Sequence, residues 1–333
     1  MKAIQIHQFG SPEVVKLEDI ATPSPSETEI RLKVKAASLN PADLMVIAGE
    51  YQHQPSLPFT PGFEAAGEVI EVGNGVESFN RGDRIIAVLP YRTAEGVRFG
   101  AMAQELVVPA SNVVKIPDKL DFVTATTMPV AYGTAYISLV HRGGLKAGET
   151  VLINGSTGNV GSAAIEIAKC LEATVIATAG GAPKVEAVKK KGADYAIDYR
   201  NENIRDRVLE ITDGKGANLV LDPVGGAAFD AAIESVGWEG RILGIGAASG
   251  KIPEVSILTL LTRNISVVGA DFAAYVLRDF STVGRSLERV FQWYAEGAIE
   301  PVAPSTIALS EVPATFAAIA NEEKTEKLAI AID

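Results

Sequence analysis

Hydrophobic and polar positions along the 333 residues follow two rhythms. From Met1 to about Asp121, short runs alternate apolar and polar residues with a period of two, and Gly and Pro break them apart. Residues 29–35, 66–72 and 83–88 show the pattern. Such alternation predicts half-buried strands gathered in a curled antiparallel sheet or barrel. From about Thr150 the rhythm changes. Residues 151–154 read as a buried strand, and behind it Val160, Ala163, Ala164, Ile167, Ala168 and Leu171 recur at helical spacing.

Strand-like runs follow at 174–178, 195–197, 218–221, 241–244 and 266–268, with a helix through Val185 and Val188 after the first of them. Strands alternating with helices predict βαβ units, and hence an α/β fold built on a doubly wound parallel sheet. A later helix near 281–296 carries Val283, Leu287, Val290, Phe291 and Tyr294 on one face, and Gly297 is its natural stop. After it the texture turns strand-like and mixed again. The expected organisation is a β-rich domain of residues 1–125 with 272–333, and a nucleotide-type domain of residues 126–271 between them.

The run NGSTGNVG at 154–161 stands where the chain passes from strand to helix. Residues without a β-carbon let backbone N–H groups approach a pyrophosphate, and the helix start adds its positive dipole end. Gly155, Gly158 and Gly161 supply that turn, with Ser156, Thr157, Asn159 and Val160 filling it. The spacing G-x-x-G-x-x-G is one residue looser at the front than the common dinucleotide fingerprint. A merely structural turn is the competing reading, and the strand–turn–helix setting argues against it.

The next strand tells which dinucleotide fits. An NAD site calls for an acid about 20 positions on, to accept hydrogen bonds from the ribose 2′-hydroxyl. No carboxylate lies between Glu172 and Glu186. A 2′-phosphate would meet Thr178, Ala179, Gly180, the helix-start amides and Lys184 instead. NADPH is the expected cofactor, although Lys184 alone also reads as a solvated lysine.

Composition narrows the picture. Lys and Arg number 30 against 41 Asp and Glu, a net charge of −11 with no basic cluster, so nucleic acid is a poor partner. The one cysteine, Cys170, excludes a disulfide framework within the chain and reads as a small buried hydrophobe. His7, His53 and His141 show no metal-ligand spacing, and no metal is expected. The opening residues carry no secretory signal and no run approaches a membrane span, so a cytoplasmic protein is expected.

Further motifs run in order along the chain: SLNPAD at 38–43, GEY at 49–51, PGFEAAGEV at 61–69, RGDR at 81–84, GTA at 133–135 and LKAGETV at 145–151. Together they resemble the medium-chain dehydrogenase/reductase superfamily, and within it the zinc-free quinone oxidoreductase (zeta-crystallin-like) family. The resemblance runs from Met1 to near the C-terminus. It implies a Rossmann domain beside a GroES-like, partly barrel-like catalytic domain, with the active cleft between them, and a homodimer. Residues 257–268, apolar and β-rich, are the candidate dimer surface.

Zinc-dependent members of the superfamily carry Cys near Asn40 and a Gly-His-Glu where Gly62, Phe63 and Glu64 stand. An amide and a phenyl ring do not replace thiolate and imidazole as zinc ligands. Without that Lewis acid, alcohol–ketone interconversion loses its main device, whereas hydride delivery to an already activated acceptor remains feasible.

The resemblance also implies roles. Gly155, Gly158, Val160 and Gly161 match the pyrophosphate loop, with Asn159 in place of a usual glycine. Lys184 and Tyr199 match the 2′-phosphate and adenine-ribose contacts, and Thr134 the residue near the nicotinamide. Asp222, Gly244, Ile245 and Gly246 match strand ends lining the cofactor cleft. Asn40, Asp43 and Tyr51 match polar residues facing the substrate. In related enoyl-thioester reductases the tyrosine matching Tyr51 donates a proton or polarises the carbonyl; simple packing at the domain mouth is the other reading.

Three functions stay open at this point. One is an NADPH-dependent quinone reductase acting on a small molecule. Another is reduction of an activated double bond, as in enoyl-thioesters or 2-alkenals. The third is a non-catalytic NADPH-binding protein, against which the polar set Asn40, Asp43, Tyr51 and Thr134 argues.

Overall fold

Six strands pair in parallel in the order Tyr195–Asp198, Thr174–Ala179, Thr150–Ile153, Ala217–Asp222, Val236–Gly244 and Ser266–Gly269. The computed structural model that shows this describes residues 1–321 and 327–333. Val151, Leu152 and Ile153 of the first strand are fully buried, as expected of a strand covered on both faces. Numbered along the chain, the strand order is 3-2-1-4-5-6, the doubly wound nucleotide-binding arrangement. Helix Asn159–Cys170 packs Ala163, Ala164, Ile167 and Ala168 inward, and Phe229, Val208 and Ile242 join Leu152, Ile176 and Val220 in one core.

The remaining chain forms a second unit with its own core. Its sheet runs Ser305–Ala308, Leu328–Ala331, Glu29–Leu39, Glu64–Val72, Arg84–Val88 and Val113–Lys115. Strand Glu29–Leu39 is 11 residues long and serves three partners. Its first half pairs antiparallel with Glu105–Pro109, its second half with Leu328–Ala331, and its other edge with Glu64–Val72. The register slips twice along that last edge, so the strand bends between its partners. Ile30, Leu32, Val34, Ile85 and Ile330 fill the inner face.

The two units comprise Met1–Val130 with Ala273–Ala295 and Glu300–Asp333, and Ala131–Phe272 with Glu296–Ile299. The alternating strands and the parallel sheet therefore stand as expected from the two rhythms. One stretch differs. The apolar run after residue 256 begins as a helix, Ile257–Arg263, not a strand. Ser256 Oγ caps it by accepting the Thr259 amide at 3.1 Å, and Asn264 ends it with φ +54°. Only Ser266–Gly269 is extended. Helix Phe272–Arg278 follows.

A helical run also follows Met128. It opens and closes with wide π-type turns at Pro129–Gly133 and Ile137–Arg142, and Thr134 lies between them. Gly133 is required there, since a β-carbon would lie 2.5 Å from the Phe272 ring.

Candidate active site

At the end of strand Thr150–Ile153 the chain turns through Gly155, with φ +57°, and re-enters a helix at Asn159. The turn is closed by the Gly158 amide donating to Gly155 O at 3.0 Å. Gly158 is the N-cap and has no side chain to satisfy the first helical amides, so the turn offers them outward. Thr157, Gly158 and Asn159 are exposed, Val160 is half-buried, and Gly161 is buried against the turn. A β-carbon on Gly161 would stand 2.4 Å from Gly155 O and 2.6 Å from Ser156 Cα. Only a glycine at 161 lets the helix start pack this closely against the turn.

Two residues of the turn region face inward instead. Ser156 is fully buried and donates its hydroxyl to Thr178 O at 2.6 Å, so its side chain locks two strand ends together rather than meeting a ligand. Asp222 is likewise fully buried. Its Oδ1 accepts Asn154 Nδ2 at 3.1 Å and the Val224 amide at 3.3 Å, and its Oδ2 accepts the Gly225 amide at 3.0 Å. Burial pushes its carboxyl above the usual range, while Asn154 and those amides pull it back. Both side chains brace the turn and the strand end that were expected to line the cofactor cleft. Asn154, absent from the sequence-based set, is the hub: it also donates to Ala228 O at 3.2 Å and lies 3.3 Å from the Thr178 hydroxyl.

Thr178 and Ala179 are buried, leaving only their backbone to line the strand end. Gly244 and Ile245 are half-exposed and Gly246 is exposed, with the Ile245 amide held by Asp222 O at 3.1 Å. Lys184, in the first turn of helix Ala182–Lys190, and Tyr199, just after strand Tyr195–Asp198, are both exposed. Thr134 is half-buried. The residues before it are anchored by Tyr132, whose hydroxyl donates to Glu166 Oε2 at 2.5 Å, while Lys191 Nζ meets Glu166 Oε1 at 2.9 Å.

In the β-rich unit, helix Pro41–Ala48 starts on Asn40 and ends on Gly49 at φ +81°. Asp43 reaches back to accept the Asn40 amide at 2.8 Å. Asn40 Nδ2 donates to Ser38 Oγ at 2.9 Å and to Glu64 Oε2 at 2.7 Å. Glu64 also accepts the Ser38 hydroxyl through Oε2 and the Val130 amide at 2.7 Å through Oε1. Ser38, Asp43 and Glu64 are all buried. Both Asn40 amide protons are therefore committed inward, and the structure makes Asn40 and Asp43 parts of an internal polar network.

Burial pushes the Asp43 carboxyl up to about 8; the Asn40 amide opposes the rise, the Glu64 charge adds to it and the Gly62 amide opposes it. Glu64 is also pushed up by burial, against the pull of Ser38, Val130, Asn40 and Lys327. Tyr51 is half-buried, and its ring meets Phe63 edge-on at 5.4 Å and His53 at 6.0 Å. Phe63 in turn meets Phe99 at 5.0 Å. An aromatic wall stands where zinc-dependent relatives have a histidine ligand. Among the described residues, no group of three or more His, Cys, Asp or Glu could hold a metal ion, and no helix is long and apolar enough to cross a membrane.

Residues 26–118 match the family described as alcohol dehydrogenase GroES-like domain, and 159–289 match that described as zinc-binding dehydrogenase. The quinone oxidoreductase-like protein 2 homolog of Nematostella vectensis is 34% identical over 99% of this chain and 88% of its own. The chain belongs to the quinone oxidoreductase family of medium-chain dehydrogenases/reductases. Solved quinone oxidoreductases share its fold. That of Pseudomonas syringae pv. Tomato DC3000 is 29% identical and superposes with a TM-score of 0.89 over 99% of both chains. The Escherichia coli quinone oxidoreductase complexed with NADPH is 26% identical, with a TM-score of 0.87 over 99% of this chain and all of that one. In this quinone oxidoreductase family member, the Asn40 amide is bonded to Glu64 and the Phe63 ring is packed against Tyr51.

Proposed function

We propose that this oxidoreductase reduces quinones with NADPH and without zinc. The observation that carries the reading is the strand end Thr178–Gly180 beside the glycine turn, which bears no acid and has Lys184 and Tyr199 next to it. The uncapped start of helix Asn159–Cys170, held close on the glycine turn by Gly161, fits a pyrophosphate. NADPH, when bound, supplies the hydride. The backbone amides of residues 159–161 would hold its pyrophosphate, Lys184 the 2′-phosphate of its adenosine and Tyr199 the adenine-ribose. Thr134, held by the Tyr132–Glu166 bond, stands on the nicotinamide side. Tyr51 hydrogen-bonds the acceptor oxygen and passes it a proton, and the Ser38–Asn40–Asp43–Glu64 network fixes the helix that precedes it.

The test follows NADPH oxidation with 1,4-benzoquinone, 9,10-phenanthrenequinone, a 2-alkenal and crotonyl-CoA. Turnover with the quinones is expected, and Tyr51→Phe is expected to lower kcat/KM about 10- to 100-fold with NADPH affinity unchanged. Turnover confined to the alkenal or the thioester would move the assignment to a double-bond reductase. NADPH binding with no acceptor reduced would favour a non-catalytic protein.

The same reading includes a second copy of the chain as partner. Strand Ser266–Gly269 is the last of its sheet, and beside it Ile257, Leu258 and Leu261 are 77%, 66% and 72% exposed. A free sheet edge flanked by apolar side chains fits pairing with its own symmetry mate. Leu258→Glu with Leu261→Glu is expected to convert a dimer to a monomer in light scattering behind size exclusion. A wild-type monomer would remove this part of the reading.

A further inference from the structure

Tyr199 and Arg200 follow strand Tyr195–Asp198 and fold back over the turn that ends the adjacent strand Thr174–Ala179. A β-carbon on Gly180 would lie 2.5 Å from the Tyr199 hydroxyl oxygen and 3.1 Å from Arg200 Nε, and one on Gly181 would lie 3.6 Å from Arg200 Nη1. The two bare α-carbons let a phenol and a guanidinium rest against the backbone where helix Ala182–Lys190 begins.

Asp198 fixes this arrangement. Its Oδ1 accepts the Gly181 amide at 2.8 Å and the Arg200 amide at 3.2 Å, and its Oδ2 accepts Asn201 Nδ2 at 2.8 Å. The Gly181 amide foremost, with the other donors, holds that carboxyl below its usual range, so it stays ionised with its oxygens engaged. The Arg200 guanidinium, by contrast, makes no hydrogen bond or ion pair among the described residues, and it is exposed. Lys184 stands at the third position of the same helix. Two cations thus converge on a turn whose own strand supplies no acid.

We infer that Arg200 sets the choice of cofactor, gripping the adenosine 2′-phosphate of NADPH through its planar fork while Lys184 adds a point charge. The inference rests on the NADPH reading above and adds a residue to it. A phosphate dianion accepts two parallel N–H bonds from a guanidinium, which an ammonium cannot offer. A ribose 2′-hydroxyl has no charge for either cation. The competing role for a guanidinium at an adenosine site is stacking on the adenine ring, which would serve NADH equally.

Calorimetric titration of the wild type, Arg200→Met and Lys184→Met with NADPH, NADH, adenosine 2′,5′-bisphosphate and AMP separates these cases. The wild type is expected to favour NADPH over NADH and the bisphosphate over AMP. Arg200→Met is expected to weaken NADPH and the bisphosphate about 10- to 30-fold, leaving NADH and AMP within about twofold. Equal weakening of NADPH and NADH would overturn the inference in favour of stacking. An unchanged NADPH preference in Arg200→Met, with collapse only in Lys184→Met, would overturn it in favour of the lysine alone. A wild type with no preference for NADPH would defeat the cofactor reading itself, which is a different outcome from either.

Discussion

Gly161→Ala is expected to weaken NADPH binding by more than about a hundredfold and to lower the melting temperature by several degrees. Alanine in a helix ordinarily gains about 1 kcal/mol over glycine, so propensity alone predicts a more stable protein. Here the added methyl would meet Gly155 O at 2.4 Å and Ser156 Cα at 2.6 Å. Both are backbone atoms of the turn, and neither can rotate away. Overpacking of this kind costs about 1–3 kcal/mol, enough to reverse the propensity gain. Relief requires helix Asn159–Cys170 to move off the turn, carrying its amides away from the pyrophosphate they should bind. Gly158→Ala is the control, since its β-carbon would lie 3.3 Å from Gly155 O and the residue is exposed. Titration calorimetry and thermal melts decide: wild-type affinity in Gly161→Ala would show that the close approach is not needed.

Asp43→Asn is expected to gain stability against the wild type as pH rises. The folded protein holds the Asp43 carboxyl at about 8, against an ordinary value of 3.8. A carboxyl with a raised folded pKa contributes most below its unfolded value, and that contribution is lost as pH rises through the folded one. Across that window the cost grows by about 1.4 kcal/mol per pH unit. Asparagine keeps an oxygen for the Asn40 amide and does not titrate. The difference in unfolding free energy between variant and wild type should therefore move by about 2 kcal/mol or more in the variant's favour from pH 5.5 to 8.5. Parallel denaturation curves at the two pH values would show that Asp43 is already ionised in its buried place.

How much of this was legible in the residues depends on whether a pattern records direction. The parallel sheet was, because 151–153 and 219–221 are unbroken apolar runs that only a doubly covered strand can bury. The glycine turn was, because its positive φ and close approach demand glycine itself. Helix Ile257–Arg263 was hidden because Ile257, Leu258 and Leu261 face outward, and apolar content was read as strand. Ser156 in the turn and Asp222 at a strand end sit at positions that suit a ligand, yet their side chains turn inward, which residue type alone does not record. Asn40 is the same case: its type fits a substrate contact, and its two protons go to Ser38 and Glu64. Arg200 was missed because its meaning depends on strands 195–198 and 174–179 lying side by side.

The pairing of Leu328–Ala331 with the far half of Glu29–Leu39 has a consequence for synthesis. A ribosome delivers Glu29–Leu39 about 290 residues before Leu328–Ala331. At about 5–20 residues per second, the earlier strand waits tens of seconds with one edge open. The nucleotide unit is nearly contiguous in the chain and can close during that interval. The nascent β-rich unit meanwhile displays an unpaired edge of the kind that recruits neighbouring chains, so its vulnerable period is set by elongation rate and by whatever shields it until Leu328–Ala331 arrives.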